Sequence, residues 1–310
     1  MPHDHAHQHH AADRVGTRNL WIAVSINLAL TVAQVVGGLL SGSLALVADA
    51  VHNLSDALAL GLALGARRVA RRPADHRRSF GYRRAEVVAA SANLTALMVV
   101  AFFLASEAVA RIFERPVIDG WTVVIVAGVA LLVDAATAWL TYRASGGSSN
   151  MRAVFVHNLA DALASVAVIL AGAAIILFDA YWVDLVVTLL ISVYIFAHAL
   201  REARPVFQIL MDGVPPGVSL DELRDACRAG VDGVRDVHHA HVWQIDERHR
   251  AAELHVVVPE ARLPELPRIK RDVKALLRDR FGVHHATLEF ELPSEAAGLA
   301  GDHGLTVPPH

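Results

Sequence analysis

Two segments of this chain carry the same five-residue pattern, His52-Asn53-Leu54-Ser55-Asp56 and His157-Asn158-Leu159-Ala160-Asp161, each inside a strongly apolar stretch. In an α-helix, residues four apart lie one above the other, so each segment presents an imidazole and a carboxylate to one point. Two such helices supply four ligands of the kind that Zn2+ takes in tetrahedral sites. Two neutral imidazoles and two carboxylates carry two negative charges, which cancel a divalent cation inside a low-dielectric medium. Insertion scales put an ionisable residue at mid-bilayer at roughly 2.5–3.5 kcal/mol, so four of them kept in apolar segments imply a use.

The elements that must position these residues are membrane spans. The 310 residues are 54% hydrophobic and 19% charged, with a mean hydropathy of +0.40, well to the apolar side of a soluble domain. Six segments are long enough to cross a bilayer: roughly 18–40, 43–66, 84–110, 119–143, 153–178 and 180–201. The loop after the second carries Arg67, Arg68, Arg71, Arg72, Arg77, Arg78, Arg83 and Arg84, whereas Ser41-Gly42-Ser43 after the first carries no charge. The positive-inside rule then puts the arginine loop, both termini and the Arg143–Arg152 connection in the cytoplasm. Trp21, Trp121, Trp139 and Trp182 fall near span ends, where an aromatic belt or ordinary packing would place them. Gln34, Asn93, Glu107, Asp134, Asp184 and His198 are further polar residues in or near spans, suited to lining a wet path or bridging helices.

Residues 1–17 open with a His-rich run, Met1 to His10, that lacks the basic start and apolar core of a signal peptide and reads as a disordered, metal-scavenging tail. The transmembrane domain is expected over 18–204, a cytoplasmic domain over 205–295 and a disordered tail over 296–310. In the cytoplasmic domain the order αββαβ is expected: a helix opened by Ser219-Leu220-Asp221-Glu222, strands at 234–245 and 252–258, an amphipathic helix at 264–280 ending before Gly282, and a strand at 286–292. Helices on one face of a three-stranded sheet, an open-faced α+β sandwich, are the economical packing. Cys227 is the single cysteine, so there is neither an intramolecular disulfide nor a cysteine zinc finger.

At this point the residues resemble the cation diffusion facilitators, membrane metal/proton antiporters that export divalent cations. Ser43 to Ala57 is similar to the family's second-span signature, Ser79-Phe80-Gly81-Tyr82-Arg83-Arg84-Ala85-Glu86 to the start of its third span, Leu210 to Pro215 to its hinge, and Val237-His238-His239-Ala240-His241-Val242-Trp243 to the first long strand of its cytoplasmic domain. The resemblance implies a homodimer in a lipid bilayer, metal held between the second and fifth spans, and alternation between inward- and outward-open states. His and Asp on both helices resemble the zinc-transporting branch, and imidazole ligands suit Zn2+ and, less selectively, Co2+ or Cd2+. Protons are the counter-substrate: an unperturbed imidazole titrates near pH ~6.5 and binds metal only when deprotonated, so His52 and His157 are expected to carry the exchanged protons. Asp49, one turn from His52, is either a relay or an interhelical hydrogen-bond partner.

The resemblance also implies a regulatory zinc site at the cytoplasmic dimer interface, with His238, His255, His284 and Glu291 at the matching positions and the choice between His284 and His285 open. His239, His241 and His249 are expected to be solvated. Some family members hold metal in the loop between the second and third spans through histidines; here Arg78 and Tyr82 occupy those positions beside Asp75, and no metal is expected. Arg84 stands where the family has a lysine and pairs, by the same resemblance, with Asp212 at the hinge, although ordinary snorkelling also explains it. An intramembrane metalloenzyme would need an open coordination position and a general base, and no His-Glu-x-x-His motif is present. A metal sensor merely anchored in the membrane would not need ligands inside its spans. The expected setting is a bacterial inner membrane, with export toward the periplasm and no nucleic-acid partner.

Overall fold

The computed structural model describes residues 28–114, 116–144 and 149–295. The His-rich segment, the start of the first predicted span with Trp21, the middle of the Arg143–Arg152 connection and the segment 296–310 lie outside the described residues. The chain forms two compact units: one holds the chain up to Leu62 with Ala92–Glu202, the other Ala63–Ser91 with the chain from Ala203 onward.

The first unit is built from α1 (Leu28–Ser41 as described), most of α2 (Leu44–Ala70), of α3 (Ala85–Ala110) and of α6 (Trp182–Leu210), and from α4 (Gly120–Ala144) and α5 (Ser149–Phe178). Among the described residues, the segments Ala85–Phe113, Gly120–Trp139, Phe155–Phe178 and Trp182–Leu210 are long and apolar enough to cross a membrane. At 27 residues α2 also has the length, but its polar face interrupts the apolar run. Side chains that would be buried in a soluble protein point outward: Phe102 is 69% exposed, Leu132 73% and Leu177 70%. Inside, small residues let the helices approach. A Cβ at Gly120 would stand 2.8 Å from the carbonyl oxygen of Gly172, so α4 and α5 meet backbone to backbone, as small residues permit in membranes.

The start of α2 is held by a carboxylate from far away in sequence. Asp184 on α6, fully buried, accepts hydrogen bonds from the Ser43 hydroxyl at 2.5 Å and the Leu44 N–H at 2.9 Å. These satisfy the free N–H end of the helix, whose dipole favours a negative charge. Asp184 therefore bridges helices.

In the second unit, α7 (Leu220–Gly230) starts at Ser219, whose hydroxyl accepts from the Glu222 N–H at 3.3 Å. Strands β1 (Asp236–Gln244) and β2 (Arg250–Val257) pair antiparallel, and β3 (Val283–Glu291) lies parallel to β2 after the crossover helix α8 (Leu266–Phe281). Gly282 ends α8 in the left-handed region at φ 66°, the conformation a helix C-terminus asks of glycine. Leu223, Cys227, Val237, Leu254, Val256, Ile269, Val273 and Leu277 fill the core between helices and sheet. Burial pushes the Cys227 thiol from its ordinary 9 up to about 11. The chemical change of composition near residue 205 does not end the last long helix, since α6 runs on through Pro205 to Leu210.

Candidate metal centre

Helices α2 and α5 bring His52, Asp56, His157 and Asp161 together, with one donor atom from each within 4.8 Å of all the others. The pairing crosses between helices. His52 Nε2 lies 3.2 Å from Asp161 Oδ1, and His157 Nε2 lies 3.0 Å from Asp56 Oδ2 and 3.6 Å from Asp161 Oδ2. His52 is 2% exposed and Asp161 7%. Although His52 Nε2 and Asp161 Oδ1 are within ion-pair distance, they are not aligned as a hydrogen bond, and both buried atoms have no hydrogen-bond partner. Orphaned buried polar atoms are rare and costly. The other crossed pair is satisfied, since His157 Nε2 and Asp56 Oδ2 are hydrogen-bonded at 3.0 Å; the unpartnered atoms of His52 and Asp161 are the ones a cation would satisfy.

Behind this group, a polar chain ties four helices together. Asp49 accepts from Gln34 Nε2 at 2.6 Å, and Gln34 Oε1 accepts from Asn53 Nδ2 at 3.1 Å. Ser165 Oγ lies 3.4 Å from Asp49 and 3.2 Å from Asp134. Asn53, the second residue of the repeated motif, thus faces α1 rather than the cluster, and Asp49 has interhelical partners. From α6 come two rings that sequence reasoning did not assign to the site. His198 lies 6.5 Å from the His52 ring and 6.3 Å from that of His157, and Tyr194 lies 6.0 Å from His52. Their own spacing of four residues was the available signal. Asn93 reaches Ser55 Oγ at 3.3 Å, and Glu107 pairs with Arg111 at 2.8 Å.

The second unit holds a smaller cluster. His238 on β1, His255 on β2 and Glu291 at the end of β3 place donor atoms within 4.8 Å of one another. Glu291 sits between the two rings, with Oε1 2.5 Å from His255 Nδ1 and Oε2 3.1 Å from His238 Nε2. The latter two atoms again lack a hydrogen bond while buried. His284 is separated from this group: seven residues along β3 from Glu291 amount to about 23 Å of strand, and its nearest ring contact is His249 at 6.4 Å. His285 instead packs against Phe80 at 5.5 Å. Glu289, paired in register with His255 and 3.5 Å from its Nε2, is the residue the sequence reading passed over. A bulge between His238 and His241, with His239 at φ 47°, turns the His239 ring onto His255 at 4.5 Å, so His239 is not simply solvated.

At the hinge, Arg84 and Asp212 form an ion pair. In the α2–α3 loop, Asp75 accepts from the Tyr82 hydroxyl at 2.7 Å and from the N–H groups of Arg77 and Arg78 at 2.8 Å. The Tyr82 bond first, then these amides, hold its carboxyl below the usual range. The Arg78 guanidinium stacks 4.5 Å over the Tyr82 ring, so this loop is organised by Asp75, Arg78 and Tyr82 themselves.

A bundle of apolar helices with a buried His/Asp cluster, followed by a small sheet domain with a second one, defines a membrane transporter of metal ions. Residues 20–211 match the cation efflux transmembrane domain and residues 215–292 the cytoplasmic domain of cation efflux proteins. The chain belongs to the cation efflux, or cation diffusion facilitator, family: it is a membrane-embedded metal cation efflux transporter and not an enzyme. It is 34% identical over 298 residues to the metal cation efflux system protein CzcD of Cupriavidus metallidurans, covering 96% of this chain and 92% of that one. It is 33% identical over 294 residues to the zinc transporter ZitB of Escherichia coli K12, covering 94% and 93%. With the cadmium, cobalt and zinc/H(+)-K(+) antiporter of Bacillus subtilis it shares 30% over 265 residues, 84% of each chain.

Proposed function

We propose that the protein exports Zn2+, with Co2+ and Cd2+ as poorer substrates, from the cytoplasm in exchange for protons, as a homodimer with alternating access. The observation that carries this reading is the four-donor cluster of His52, Asp56, His157 and Asp161, in which His52 and Asp161 keep buried atoms without hydrogen bonds. Two imidazoles and two carboxylates match zinc in type and number, and the names of the zinc-transporting relatives agree. Six spans are the proposed membrane architecture, with α1 and α2 joining the four strongly apolar helices. Both termini and the arginine loop face the cytoplasm, in a bacterial inner membrane.

Charge balance supplies the exchange. The cluster with one divalent cation and two neutral imidazoles is neutral. With the cation gone, two protons on His52 and His157 restore that balance, and each imidazolium then faces a carboxylate of the opposite helix, Asp161 and Asp56. Charged residues in a span are tolerated when paired in this way. Metal loading from the cytoplasm therefore displaces protons, and protons arriving from outside displace metal.

The second cluster, His238, His255 and Glu291, is proposed to bind regulatory zinc and tighten the dimer. Glu289, 3.5 Å from the other ring nitrogen of His255, stands outside that three-donor group. His284, at the far end of its strand, serves only if a second copy brings it near.

The test is zinc uptake into inverted vesicles or proteoliposomes under an imposed pH gradient, comparing wild type with Asp161→Ala. Gradient-driven uptake lost in the variant supports the reading. Uptake indifferent to the substitution would move the metal path elsewhere, and transport of Mn2+ or Fe2+ in place of Zn2+ would overturn the substrate.

A further inference from the structure

Beside the hinge, the second unit encloses a cleft of about 570 Å³ that the transport reading does not use. It is lined by Arg67, Arg71 and Arg72 at the end of α2, Arg83 in the following loop, and Arg248 with His249 in the β1–β2 turn. Five arginines thus face three carboxylates, Glu86, Asp246 and Glu247. The positive charge is largely unspent. Among the described residues, Arg67, Arg71 and Arg248 have no ion-pair partner, Arg72 lies only 6.0 Å from the Tyr82 ring, and Arg83 only 4.0 Å from Asp246. Asp246 is already engaged, since it accepts from the N–H groups of Arg248 and His249 and from His249 Nδ1, each at 2.8 Å.

We propose that this cleft binds the phosphate of an anionic membrane lipid. Guanidinium groups match phosphate oxygens in a planar, two-pronged way, and several of them converge here from separate elements. The level is right for a headgroup. Starting at Leu44, about 20 residues of α2 cross the ~30 Å of hydrocarbon, which places Arg67 to Arg72 just past the boundary. Leu64, one turn back on the Arg67 side of the helix, is 49% exposed, and Phe80 in the cleft wall is 48% exposed, so apolar surface lies where acyl chains would run. Snorkelling alone explains arginines at the end of α2; it does not explain why Arg248 and His249 from the β1–β2 turn meet them. A lipid phosphate here joins the α2–α3 loop to that turn and makes the docking of the cytoplasmic sheet sensitive to membrane charge. The proposal rests on the cytoplasmic, headgroup-level placement of the arginine loop given above.

The experiment is native mass spectrometry of the purified full chain with phosphatidylglycerol, phosphatidylcholine or inorganic phosphate added. Retention of phosphatidylglycerol over phosphatidylcholine, resistant to free phosphate, is expected. Each arginine near a charged lipid contributes about fivefold, so Arg71→Gln with Arg248→Gln should weaken retention about thirtyfold. Arg77→Gln, outside the cleft, should leave it unchanged. Arg71→Lys, which keeps the charge and loses the fork, guards against misfolding of the double variant and should weaken retention only severalfold. Equal retention of both lipids, or equal retention by wild type and the double variant, would overturn the site. Displacement by inorganic phosphate without lipid preference would assign the cleft to free phosphate and overturn the lipid. Zinc uptake measured on the same preparation separates the two readings: normal uptake without lipid preference removes the cleft alone, and lipid preference without zinc uptake removes the transport function alone.

Discussion

Replacing Asp161 by Asn keeps the shape of the side chain and removes one negative charge from the proposed cation site. Asp161 is the carboxylate that faces both imidazoles, at 3.2 Å from His52 and 3.6 Å from His157, and its side chain is only 10% exposed. At about 4 Å and an effective dielectric constant near 20, one unit charge attracts another by about 4 kcal/mol; each charge of a divalent ion feels at least that much. Zinc binding should therefore weaken by roughly three orders of magnitude or more. Asp56 presents the same carboxylate with a side chain 36% exposed, so water already screens it and Asp56→Asn should be the milder change, about tenfold to a hundredfold. Calorimetric titration of both variants with Zn2+, alongside gradient-driven uptake, reads the difference directly. A Kd for Asp161→Asn within tenfold of wild type, or a larger loss for Asp56→Asn, would refute the argument that charge neutrality in a dry site sets the affinity.

Exchanging the imidazole of His52 for a carboxylate should change the pH dependence of zinc uptake, because the group that takes up the proton is then of another kind; an unchanged profile would release His52 from that role. Asp212→Lys, which opposes Arg84 with a like charge, should reduce transport strongly. The pair is about half exposed and so contributes little to stability, hence an unaltered melting temperature alongside the loss would show that the hinge, not the fold, was disturbed. In an Asp161→Ala background, zinc at a hundredfold excess over Kd should stabilise the chain by about 2.7 kcal/mol through the second cluster. Glu291→Gln should remove that gain, and a thermal shift that survives it would locate the binding elsewhere. Finally, Cys227 titrates higher folded than unfolded, so its contribution is complete below about pH 9 and is lost as pH rises toward about 11; maleimide at neutral pH should label it only after unfolding, and rapid labelling of the native chain would contradict its burial.

What could be read from the sequence was whatever a single element encodes. Positions four apart on a helix delivered both His/Asp pairs, and the Ser219 cap and Gly282 bounded α7 and α8. Long-range pairings were not legible. Nothing in the spacing says that Asp184 closes the start of α2 from 140 positions away, or that Asn53 turns to Gln34 rather than to the cluster. In a membrane the reason is physical: lipid and protein interior are equally apolar, so periodicity does not reveal which face of α3, α4 or α5 meets its neighbours. The choice between His284 and His285 stayed open for a similar reason, since a strand fixes which face a residue takes but not how far it stands from the neighbouring ligands. The bulge that swings His239 over His255 is a backbone irregularity that no alternation pattern reports.

The crossed pairing of the four donors has a mechanical consequence. Each helix is a stiff rod that carries one imidazole and one carboxylate, and each imidazole has its partner on the other rod. Any movement that parts α2 from α5 therefore loosens both crossed contacts in the same stroke, whereas twisting one side chain leaves one crossed contact in place. A grip built this way opens like a pair of pliers with interlocking teeth, so the gap between two rods decides whether cargo is held or let go.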